Sequence, residues 1–280
     1  MTETRSVEQQ KILVTGATGG LGKALVRELA AGGATVLVHG RDHARLEETM
    51  RELDGANGAR TYLADLSSLD DVRRFAAEIE RDCERLDVLV NNAGIGFGSR
   101  RDAREESADG YELRFAVNYL APFLLTRLLE PLLTRSAPAR IVNVASVGQQ
   151  AIDFDDVMLE RRYDGARAYR QSKLALVMFT LDLAEELADR HVTVNCLHPA
   201  TLMPTHMVLE AGIRPTSSLE EGLEATLRLV ADAELDGVTG RYFDGLREAR
   251  ADAQAYDIDA RKRLRELTER LVGLRAATVG

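Results

Sequence analysis

An apolar run and a glycine-rich loop follow one another in Lys11-Ile12-Leu13-Val14-Thr15-Gly16-Ala17-Thr18-Gly19-Gly20-Leu21-Gly22. The first five residues are typical of a buried strand, and residues 21–31 have the pattern of a helix. Gly16 permits a tight turn after the strand, and Gly20 and Gly22 allow the backbone and the helix start to approach a pyrophosphate. A glycine loop between a strand and a helix predicts a dinucleotide-binding site.

Short apolar runs alternate with longer amphipathic runs along the chain. Apolar runs are typical of strands buried on both faces, and strands separated by helices form parallel sheets through right-handed crossovers. We therefore predict an α/β fold, with a single Rossmann-like domain over residues 1–280 and a doubly wound parallel sheet of about seven strands with helices on both faces. The predicted strands lie at residues 11–15, 34–38, 61–64, 86–90, 140–144, 192–197 and 241–243.

Local signals predict where helices begin and bend. The expected caps are Asp42, the pair Ser68 and Asp71, and the capping box of Ser217 and Glu220. A long helical stretch at 108–136 contains Pro122 and Pro131, which should bend or divide it. A charged helix is expected at about 259–274.

The composition is ordinary for a soluble globular protein, with 45% hydrophobic and 29% charged residues among 280. The net charge of −9, from 36 basic and 45 acidic residues, argues against nucleic acid as a partner. No apolar run reaches the roughly 20 residues of a spanning helix, and residues 1–10 show no secretion signal. The absence of a spanning run argues against a membrane partner. Cys83 and Cys196 form no metal or redox motif, so we expect a cytoplasmic protein without a metal site.

Tyr169, Lys173, Ser146 and Asn118 are the candidate catalytic residues. Tyr169 and Lys173 lie four residues apart on a predicted helix and so share one face. A nearby ammonium stabilises a phenolate, which would bring the tyrosine pKa down from its reference value near 10 and suit it to acid–base work. Ser146, at the end of a predicted strand, would hydrogen-bond a substrate oxygen. Each residue alone also fits a structural role, and only the combination points to chemistry.

These motifs together resemble the short-chain dehydrogenase/reductase family. The glycine loop has that family's Gly-x-x-x-Gly-x-Gly spacing, Asn91-Asn92-Ala93-Gly94 matches its motif after the fourth strand, and Tyr169-Arg170-Gln171-Ser172-Lys173 matches its Tyr-x-x-x-Lys motif. Ser146 and Asn118 stand where the family has a catalytic Ser and a helix Asn. The resemblance covers nearly the whole chain and looks most like the retinol-dehydrogenase-like branch. It implies that Lys173 also holds the nicotinamide ribose and that Asn118 keeps a water relay to Lys173 in place.

The resemblance also implies which residues contact the dinucleotide. They are Gly16, Thr18, Gly19, Gly20, Leu21, Gly22, Arg41, Asp65, Leu66, Asn92, Ala93, Gly94, Asn118, Tyr169, Lys173, Pro199, Thr201 and Thr205. One departure affects the last three. The family usually has Pro-Gly after the sixth strand, whereas Ala200 here requires a negative φ or tolerated strain. The family's carboxamide-binding threonine usually lies nearer the proline, so Thr205 is the first candidate and Thr201 the second.

Arg41 favours NADP(H) over NAD(H) as the cofactor. An NAD-dependent protein commonly has an acidic residue about 20 residues beyond the loop, which binds the ribose hydroxyls. Gly40 takes that place here and Arg41 follows, and a guanidinium can hold a 2′-phosphate through two hydrogen bonds. NAD(H) is the alternative, with Arg41 packed over the adenine.

Three irregular stretches follow predicted strand ends, at residues 94–106, 149–165 and 200–217. Open α/β sheets bind ligands beyond the carboxyl ends of their strands. We therefore expect about 150–164, where the chain is longer than the shortest family members, and about 200–217 to form the substrate pocket, with about 250–275 as a helical tail. Ile95, Phe97, Met203, Met207 and Val208 lie in or beside these stretches and favour an organic substrate with nonpolar surface.

The leading hypothesis is an NADP(H)-dependent carbonyl reductase or alcohol dehydrogenase acting on a small or medium-sized molecule. An NAD(H)-dependent dehydrogenase of the same family is the near alternative. Epimerases and dehydratases share the Tyr-x-x-x-Lys motif but generally carry a larger C-terminal substrate domain. A catalytically silent, dinucleotide-sensing regulator would tend to lose the Tyr or the Lys. Because relatives often pair through the long helices after strands four and five, we expect a homodimer or homotetramer.

Overall fold

The computed structural model describes residues 5–53, 58–98 and 102–274. Its strands are β1 (Lys11–Val14), β2 (Thr35–Gly40), β3 (Arg60–Leu63), β4 (Val88–Asn91), β5 (Ala139–Val144), β6 (Val192–His198), β7 (Tyr242–Asp244) and β8 (Arg247–Ala249). Its α-helices are α1 (Gly20–Ala31), α2 (His43–Glu52), α3 (Leu69–Asp82), α4 (Leu113–Phe115), α5 (Ala121–Arg135), α6 (Gly165–Glu186), α7 (His206–Glu210), α8 (Leu219–Ala231) and α9 (Ile258–Leu271).

The strands form one sheet in the order β3-β2-β1-β4-β5-β6-β7-β8. Neighbouring strands are parallel from β3 to β7, and only β8 is antiparallel to its neighbour. The predicted α/β fold with a doubly wound, mostly parallel sheet is therefore confirmed. The sequence pattern did not predict β8, because this edge strand is mostly exposed and has no apolar run. It follows a turn at Gly245, whose φ is +58°.

Helices cover both faces of the sheet. One apolar core lies between the sheet and helices α3, α5, α6 and α9, and includes Phe75 and Phe179. The other lies under α1, α2 and α8 and includes Leu25 and Leu229. All residues of β4 and β5 are buried, as strands covered on both faces must be. Because strands β1 to β7 are parallel, their carboxyl ends lie at the same edge of the sheet.

The helix caps follow the sequence signals with one correction. The side chains of Asp42 and Ser68 accept hydrogen bonds from the backbone at the starts of α2 and α3, as predicted. The capping box of α8 is formed by Ser218 and Glu221, one residue later than predicted. Both registers fit the capping pattern. Within α8, Gly222 packs closely on Met203, since a Cβ there would lie 2.2 Å from the sulfur.

The long helical stretch predicted at 108–136 is divided, but before either proline. It begins at α4, loosens into a π-helical turn over Ala116–Leu120, and continues as α5. Pro122 stands in the first turn of α5, where a missing N–H is tolerated. Pro131 lies inside α5 without ending it. In an α-helix the N–H of residue 122 would bond to the carbonyl of Asn118, and proline cannot supply this hydrogen bond.

The last helix is fastened to the same helical layer. The Tyr119 hydroxyl is 2.7 Å from the Thr268 hydroxyl, and the Tyr111 hydroxyl donates to the carbonyl of Leu271 at 2.8 Å. Arg261 of α9 forms ion pairs with Asp182 and Glu185 of α6. None of the helices in the described ranges is both long and apolar enough to cross a membrane.

Candidate active site

A cavity of about 710 Å³ lies at the carboxyl ends of the parallel strands. It is lined by the glycine loop, by the ends of β2, β4, β5 and β6, by α6 and by the loop before α7. Of the residues predicted to contact a dinucleotide or to act in catalysis, all but Asn118 line this cavity. Among the residues that the structure describes, no cluster of three or more His, Cys, Asp or Glu side chains could hold a metal ion.

The glycine loop is packed too closely for side chains at two of its positions. A Cβ on Gly22 would lie 2.3 Å from the carbonyl oxygen of Gly16. Gly16 itself has a φ of +64°, and a Cβ there would lie 2.9 Å from the Cα of Ala93. A Cβ on Gly19, by contrast, would meet nothing within 4 Å, so the middle of the loop is open. A narrow turn with an open centre at a helix start fits a bound pyrophosphate.

Asn92 and Thr15 hold the glycine loop against the end of β4. The Asn92 amide nitrogen donates to the carbonyls of Thr15 and Gly16, at 2.8 and 3.2 Å. The Thr15 hydroxyl accepts from the backbone N–H groups of Asn92 and Ala93, both at 3.0 Å. The Asn-Asn-Ala-Gly motif thus shapes the loop from behind as well as lining the cavity.

His39 supports the same loop, and the sequence analysis did not identify it. Its Nδ1 accepts from the backbone N–H of Gly16 at 3.1 Å, and its Nε2 lies 3.2 Å from the carbonyl of Ala64. An accepting Nδ1 places the ring proton on Nε2, so the imidazole is neutral. Burial lowers the pKa of His39 to about 4, and the ring stacks on Phe75 at 4.7 Å between centroids. The only sequence signal was a histidine in an otherwise apolar strand.

Basic side chains stand at the outer end of the cavity. Arg41 is exposed and lines the cavity, as does Arg45 of α2, which the sequence analysis did not single out. In the described part of the chain, neither guanidinium forms an ion pair with a carboxylate. A Cβ on Gly40 would lie 2.6 Å from the Thr18 methyl, so an acidic residue could not stand there unless Thr18 moved. The Asp65 carboxylate accepts from the backbone N–H of Ser67 at 2.9 Å.

Tyr169 and Ser146 meet across the inner part of the cavity. Both side chains lie beside Gly148, where a Cβ would be 3.3 Å from the Ser146 hydroxyl and 3.8 Å from a Tyr169 ring carbon. The Ser146 hydroxyl accepts from the backbone N–H of Gly148 at 3.0 Å. Burial raises the pKa of Tyr169 and outweighs the opposite effect of the Ser146 side chain. The phenol is therefore held in its neutral, proton-donating form. The lowered tyrosine pKa that we predicted from its neighbour Lys173 is not found.

Lys173 reaches the same place from one helical turn further along α6. Its Nζ donates to the carbonyl of Val144 at 2.8 Å and lies 5.9 Å from the centroid of the Tyr169 ring. Burial lowers the pKa of Lys173 to about 8, because a desolvated ammonium is disfavoured. The lysine therefore stays mostly charged at neutral pH but titrates just above it.

Asn118 lies behind the cavity wall. Its Oδ1 accepts from the backbone N–H of Ile95 at 2.8 Å, and its Nδ2 donates to the Ile95 carbonyl and the Ser172 hydroxyl, both at 3.1 Å. Its side chain therefore joins the loop after β4 to helix α6. Pro122 has no N–H and so cannot give the Asn118 carbonyl the hydrogen bond usual in an α-helix.

The loop after β6 accommodates the predicted departure from Pro-Gly. Ala200 does not have a positive φ, so it fits without strain, and the left-handed conformation falls on Leu202, with a φ of +52°. Thr201 lies 2.9 Å from His198 Nε2, whereas the Thr205 methyl lies beside Gly20. Both threonines line the cavity, and Thr205 is the nearer of the two to the glycine loop.

The two predicted pocket loops differ in their contact with the cavity. Apolar side chains line its inner part, namely Ile95, Phe97, Met203, Met207, Val208 and Ile213. The loop over 200–217 contributes four of these. The expectation that residues 150–164 wall the cavity is not met, since none of them lines it. Ile152 and Leu159 are buried in the protein instead, so this segment packs on the fold behind the site.

Comparisons with known proteins agree with this arrangement. The family model of short chain dehydrogenase matches residues 10–214. Retinol dehydrogenase 13 of Homo sapiens is 36% identical over 98% of this chain and 88% of its own length, and retinol dehydrogenase 14 of Homo sapiens is 37% identical over 94% and 86%. A solved structure, the RhlG/NADP active-site complex of Pseudomonas aeruginosa, is 30% identical with a TM-score of 0.71 over 87% of this chain and 97% of that one. The chain is therefore a member of the short-chain dehydrogenase family, in its retinol-dehydrogenase-like branch, and an oxidoreductase that acts on CH–OH groups with a nicotinamide dinucleotide.

Proposed function

We propose that the protein is an NADP(H)-dependent oxidoreductase that interconverts a carbonyl and a primary or secondary alcohol on a small or medium-sized organic molecule. The observation that carries this proposal is that Tyr169 and Ser146 lie side by side at Gly148, in the cavity that the glycine loop also lines. A proton donor and an oxygen-binding hydroxyl thus face the space in which a nicotinamide would lie.

Tyr169 is the proposed acid and base. NADPH, when bound, supplies the hydride. As charge develops on the substrate oxygen, the Ser146 hydroxyl donates a hydrogen bond to it and Tyr169 transfers its phenolic proton. The raised pKa of Tyr169 suits the reductive direction, because the phenol is protonated before the reaction begins. In the oxidative direction the phenolate oxygen of Tyr169 accepts the proton of the alcohol.

Lys173 and Asn118 are proposed to support Tyr169. The buried ammonium of Lys173, close beneath the tyrosine ring, offsets the charge of a forming phenolate and would hold the nicotinamide ribose. Protons lost from Tyr169 would be replaced through Lys173 and water, with the main-chain carbonyl of Asn118 as the relay group.

The residues predicted to contact the dinucleotide are assigned to its parts in this proposal. Gly16, Thr18, Gly19, Gly20, Leu21 and Gly22 would surround the pyrophosphate, Arg41, Asp65 and Leu66 the adenosine, Asn92, Ala93 and Gly94 the nearby ribose, and Pro199, Thr201 and Thr205 the carboxamide side. The open centre at Gly19 and the closed packing at Gly22 fit this assignment.

Two observations favour NADP(H) over NAD(H). Arg41 and Arg45 both line the outer end of the cavity, where they could hold a 2′-phosphate. Gly40 carries no acidic side chain to bind the ribose hydroxyls, and a Cβ there would lie 2.6 Å from the Thr18 methyl. The Pseudomonas aeruginosa relative is also described as an NADP complex. An NAD(H)-dependent dehydrogenase and a silent regulator are the alternatives.

The substrate is proposed to be largely nonpolar, because six apolar side chains line the inner part of the cavity. The relatives are named for retinol, and a long apolar alcohol or aldehyde is compatible with this lining. A cytoplasmic location and a homodimer or homotetramer stay predictions. Because α9 packs on α6, pairing through the long helices would have to use the part of their surface that α9 leaves uncovered.

Calorimetric titration with NADPH and, separately, NADH tests the cofactor, and a Tyr169→Phe variant tests the mechanism. We expect clear preference for NADPH, aldehyde-dependent NADPH oxidation, and a loss of turnover on the order of 100-fold or more in the variant with unchanged NADPH binding. Normal turnover in Tyr169→Phe would overturn the mechanism. Binding of neither dinucleotide by the folded protein would bring forward the silent alternative.

A further inference from the structure

A buried arginine stands behind the cavity wall. Arg114 lies in the short helix α4, and only 2% of its side chain is exposed. Its guanidinium takes no part in the reaction proposed above and does not line the cavity. A cation so deeply buried costs free energy unless its charge is balanced and its N–H groups are bonded, so its partners indicate its role.

Three of the N–H donors of Arg114 are used in three different directions. Nε donates to the main-chain carbonyl of Gly96 at 3.1 Å, Nη1 to the hydroxyl of Tyr163 at 3.0 Å, and Nη2 to the Glu105 carboxylate at 2.7 Å. The rigid fork of a guanidinium can join three such groups at fixed angles, whereas an ammonium on a flexible stem cannot. Arg114 therefore ties together three separate parts of the chain.

A second buried charge completes the arrangement. Glu112, whose side chain is 1% exposed, lies 3.6 Å from Arg114 Nη1. One oxygen of Glu112 accepts from the Tyr163 hydroxyl at 2.9 Å, and the other accepts from the backbone N–H of Phe115 at 2.7 Å, which caps α4. Tyr163 thus bridges the two charges, accepting from Arg114 and donating to Glu112. Each member of this triad fixes the orientation of the other two.

The part of the chain held by Arg114 through Gly96 is the substrate-facing loop over 94–98. Ile95 and Phe97 of this loop line the cavity, and the Phe97 ring meets the Tyr169 ring edge to face at 4.9 Å between centroids. The fit around Gly98 is close, since its φ is +80° and a Cβ would lie 2.3 Å from Arg114 Nη2. A shift of the guanidinium would therefore move the loop that touches the proposed acid.

Tyr163 lies in the segment over 150–164 that the sequence analysis expected to wall the cavity. That segment does not reach the cavity, yet through Tyr163 it contacts the arginine that holds the wall. Arg167, just beyond it, is paired with Asp153 at 2.8 Å, which closes the segment onto the start of α6. The segment over 150–164 therefore supports the cavity wall indirectly, through the hydrogen bond between Tyr163 and Arg114.

We propose that Arg114, oriented by Tyr163 and Glu112, is a positioning residue that sets the shape of the substrate-facing wall at Ile95 and Phe97 and so determines which substrates fit against Tyr169. This inference rests on the proposed function, since it takes Tyr169 as the acid. It assigns to Arg114 and Tyr163 an effect on substrate selection, because the side chains that the loop presents to the cavity are the apolar Ile95 and Phe97. The glycine loop at 16–22 and Arg41, proposed to bind the pyrophosphate and the adenosine, lie outside the loop that Arg114 holds.

The test compares Arg114→Lys and Tyr163→Phe with a control, Arg127→Lys. The Arg127 side chain is 15% exposed, pairs with Glu130 and Glu186, and does not line the cavity. Steady-state kinetics would use NADPH with straight-chain aldehydes of graded length, and amide exchange would be followed over residues 94–98 and 16–22. Lysine preserves the charge opposite Glu112, so a purely charge-balancing role would be rescued by it.

We expect KM for the longer aldehydes to rise on the order of 10-fold in Arg114→Lys, with a smaller change in kcat, and the preference among chain lengths to flatten. Tyr163→Phe should show a weaker form of the same change. Exchange should quicken over 94–98 but not over 16–22, and the control should behave as wild type. Wild-type selectivity in both variants would overturn the proposal, and wild-type exchange over 94–98 would show that Arg114 does not hold the loop.

The two proposals can fail separately. If no aldehyde is reduced by the wild-type protein, the proposed function fails, while exchange over 94–98 still decides whether Arg114 holds the loop. If reduction is normal but selectivity is unmoved in both variants, only the positioning role fails. If Arg114→Lys does not fold, Tyr163→Phe, which deletes a single hydroxyl, decides whether the positioning role holds.

Discussion

The imidazole of His39 accepts a hydrogen bond from the backbone N–H of Gly16 at 3.1 Å, so the first turn of the glycine loop depends on a neutral histidine in the neighbouring strand. Protonation of Nδ1 would turn this acceptor into a donor that faces another donor. The same ring joins β2 to β3 through the carbonyl of Ala64. The cofactor loop and the outer strands are thereby connected through one titratable group.

We expect stability to fall as the pH drops from about 6.5 toward 4. The pKa of His39 is about 4 in the folded protein, well below its unfolded value, so the unfolded chain binds more protons in this window. The contribution of His39 to the free energy of unfolding is fully present above the pKa of the unfolded chain. It is lost as the pH falls through the pKa of the folded protein, and the loss reaches up to about 3 kcal/mol. Urea unfolding at pH 7 and pH 5 measures it. His39→Asn offers an acceptor that does not titrate, and an unchanged pH dependence in this variant would contradict the assignment.

Arg41 and Arg45 should determine the choice of dinucleotide. Replacing either by Ala removes charge-assisted hydrogen bonds to a 2′-phosphate and should weaken NADPH binding on the order of 10-fold or more, with little change for NADH. Calorimetric titration of the two variants with both dinucleotides measures the difference. Arg51, also on α2 and exposed but outside the cavity, provides a control as Arg51→Ala. Equal weakening of NADPH and NADH would contradict a phosphate-binding role.

The rate of carbonyl reduction should fall as the pH rises above about 8. The pKa of Lys173 is lowered to about 8 by burial, so the ammonium is lost above that pH, while the raised pKa of Tyr169 keeps the phenol protonated. A profile of kcat/KM against pH reports groups of the free enzyme. A guanidinium does not titrate in this range, so the residual activity of Lys173→Arg should lack the decline. The same decline in that variant would assign it to another group.

Two glycines of the cofactor loop should differ in their tolerance of alanine. A Cβ on Gly22 would lie 2.3 Å from the carbonyl oxygen of Gly16, so Gly22→Ala should destabilise the protein by roughly 1–3 kcal/mol. Gly19 has an extended backbone with φ of −169° and open space around it, so Gly19→Ala should leave unfolding nearly unchanged. Thermal unfolding without cofactor compares the two. Similar losses of stability in both variants would show that the loop packing is not as described.

The sequence predicted those features that depend on local spacing. The glycine loop, Tyr169 and Lys173 could be located because the chemistry requires fixed intervals along a strand–loop–helix unit and along one helical face. The apolar runs predicted the parallel strands for the same reason. The strand β8 carries no such pattern, since it is exposed and polar, and only its neighbour β7 determines it.

The features that the sequence did not predict depend on neighbours in the tertiary structure. His39 and Arg114 act through a ring or a guanidinium whose partners lie far away in sequence, and neither residue type has a distinctive spacing there. The choice of Ser218 over Ser217 as the cap of α8 could not be made locally, because Glu stands three residues after each serine. The direction of the Tyr169 pKa shift also required the structure, because burial outweighed the charge that the sequence placed nearby.

The hydrogen bond between Tyr119 and Thr268 links helix α9 to the helical layer behind the cavity, although α9 does not line the cavity. Tyr119 lies in the π-helical turn beside Asn118, so undocking of α9 and loosening of that turn are coupled processes. Thermodynamic coupling is reciprocal: whatever orders the turn must also hold the helix in place. Saturation with NADPH should therefore slow amide exchange in Ile258–Leu271, which makes a helix outside the cavity a reporter of cofactor occupancy.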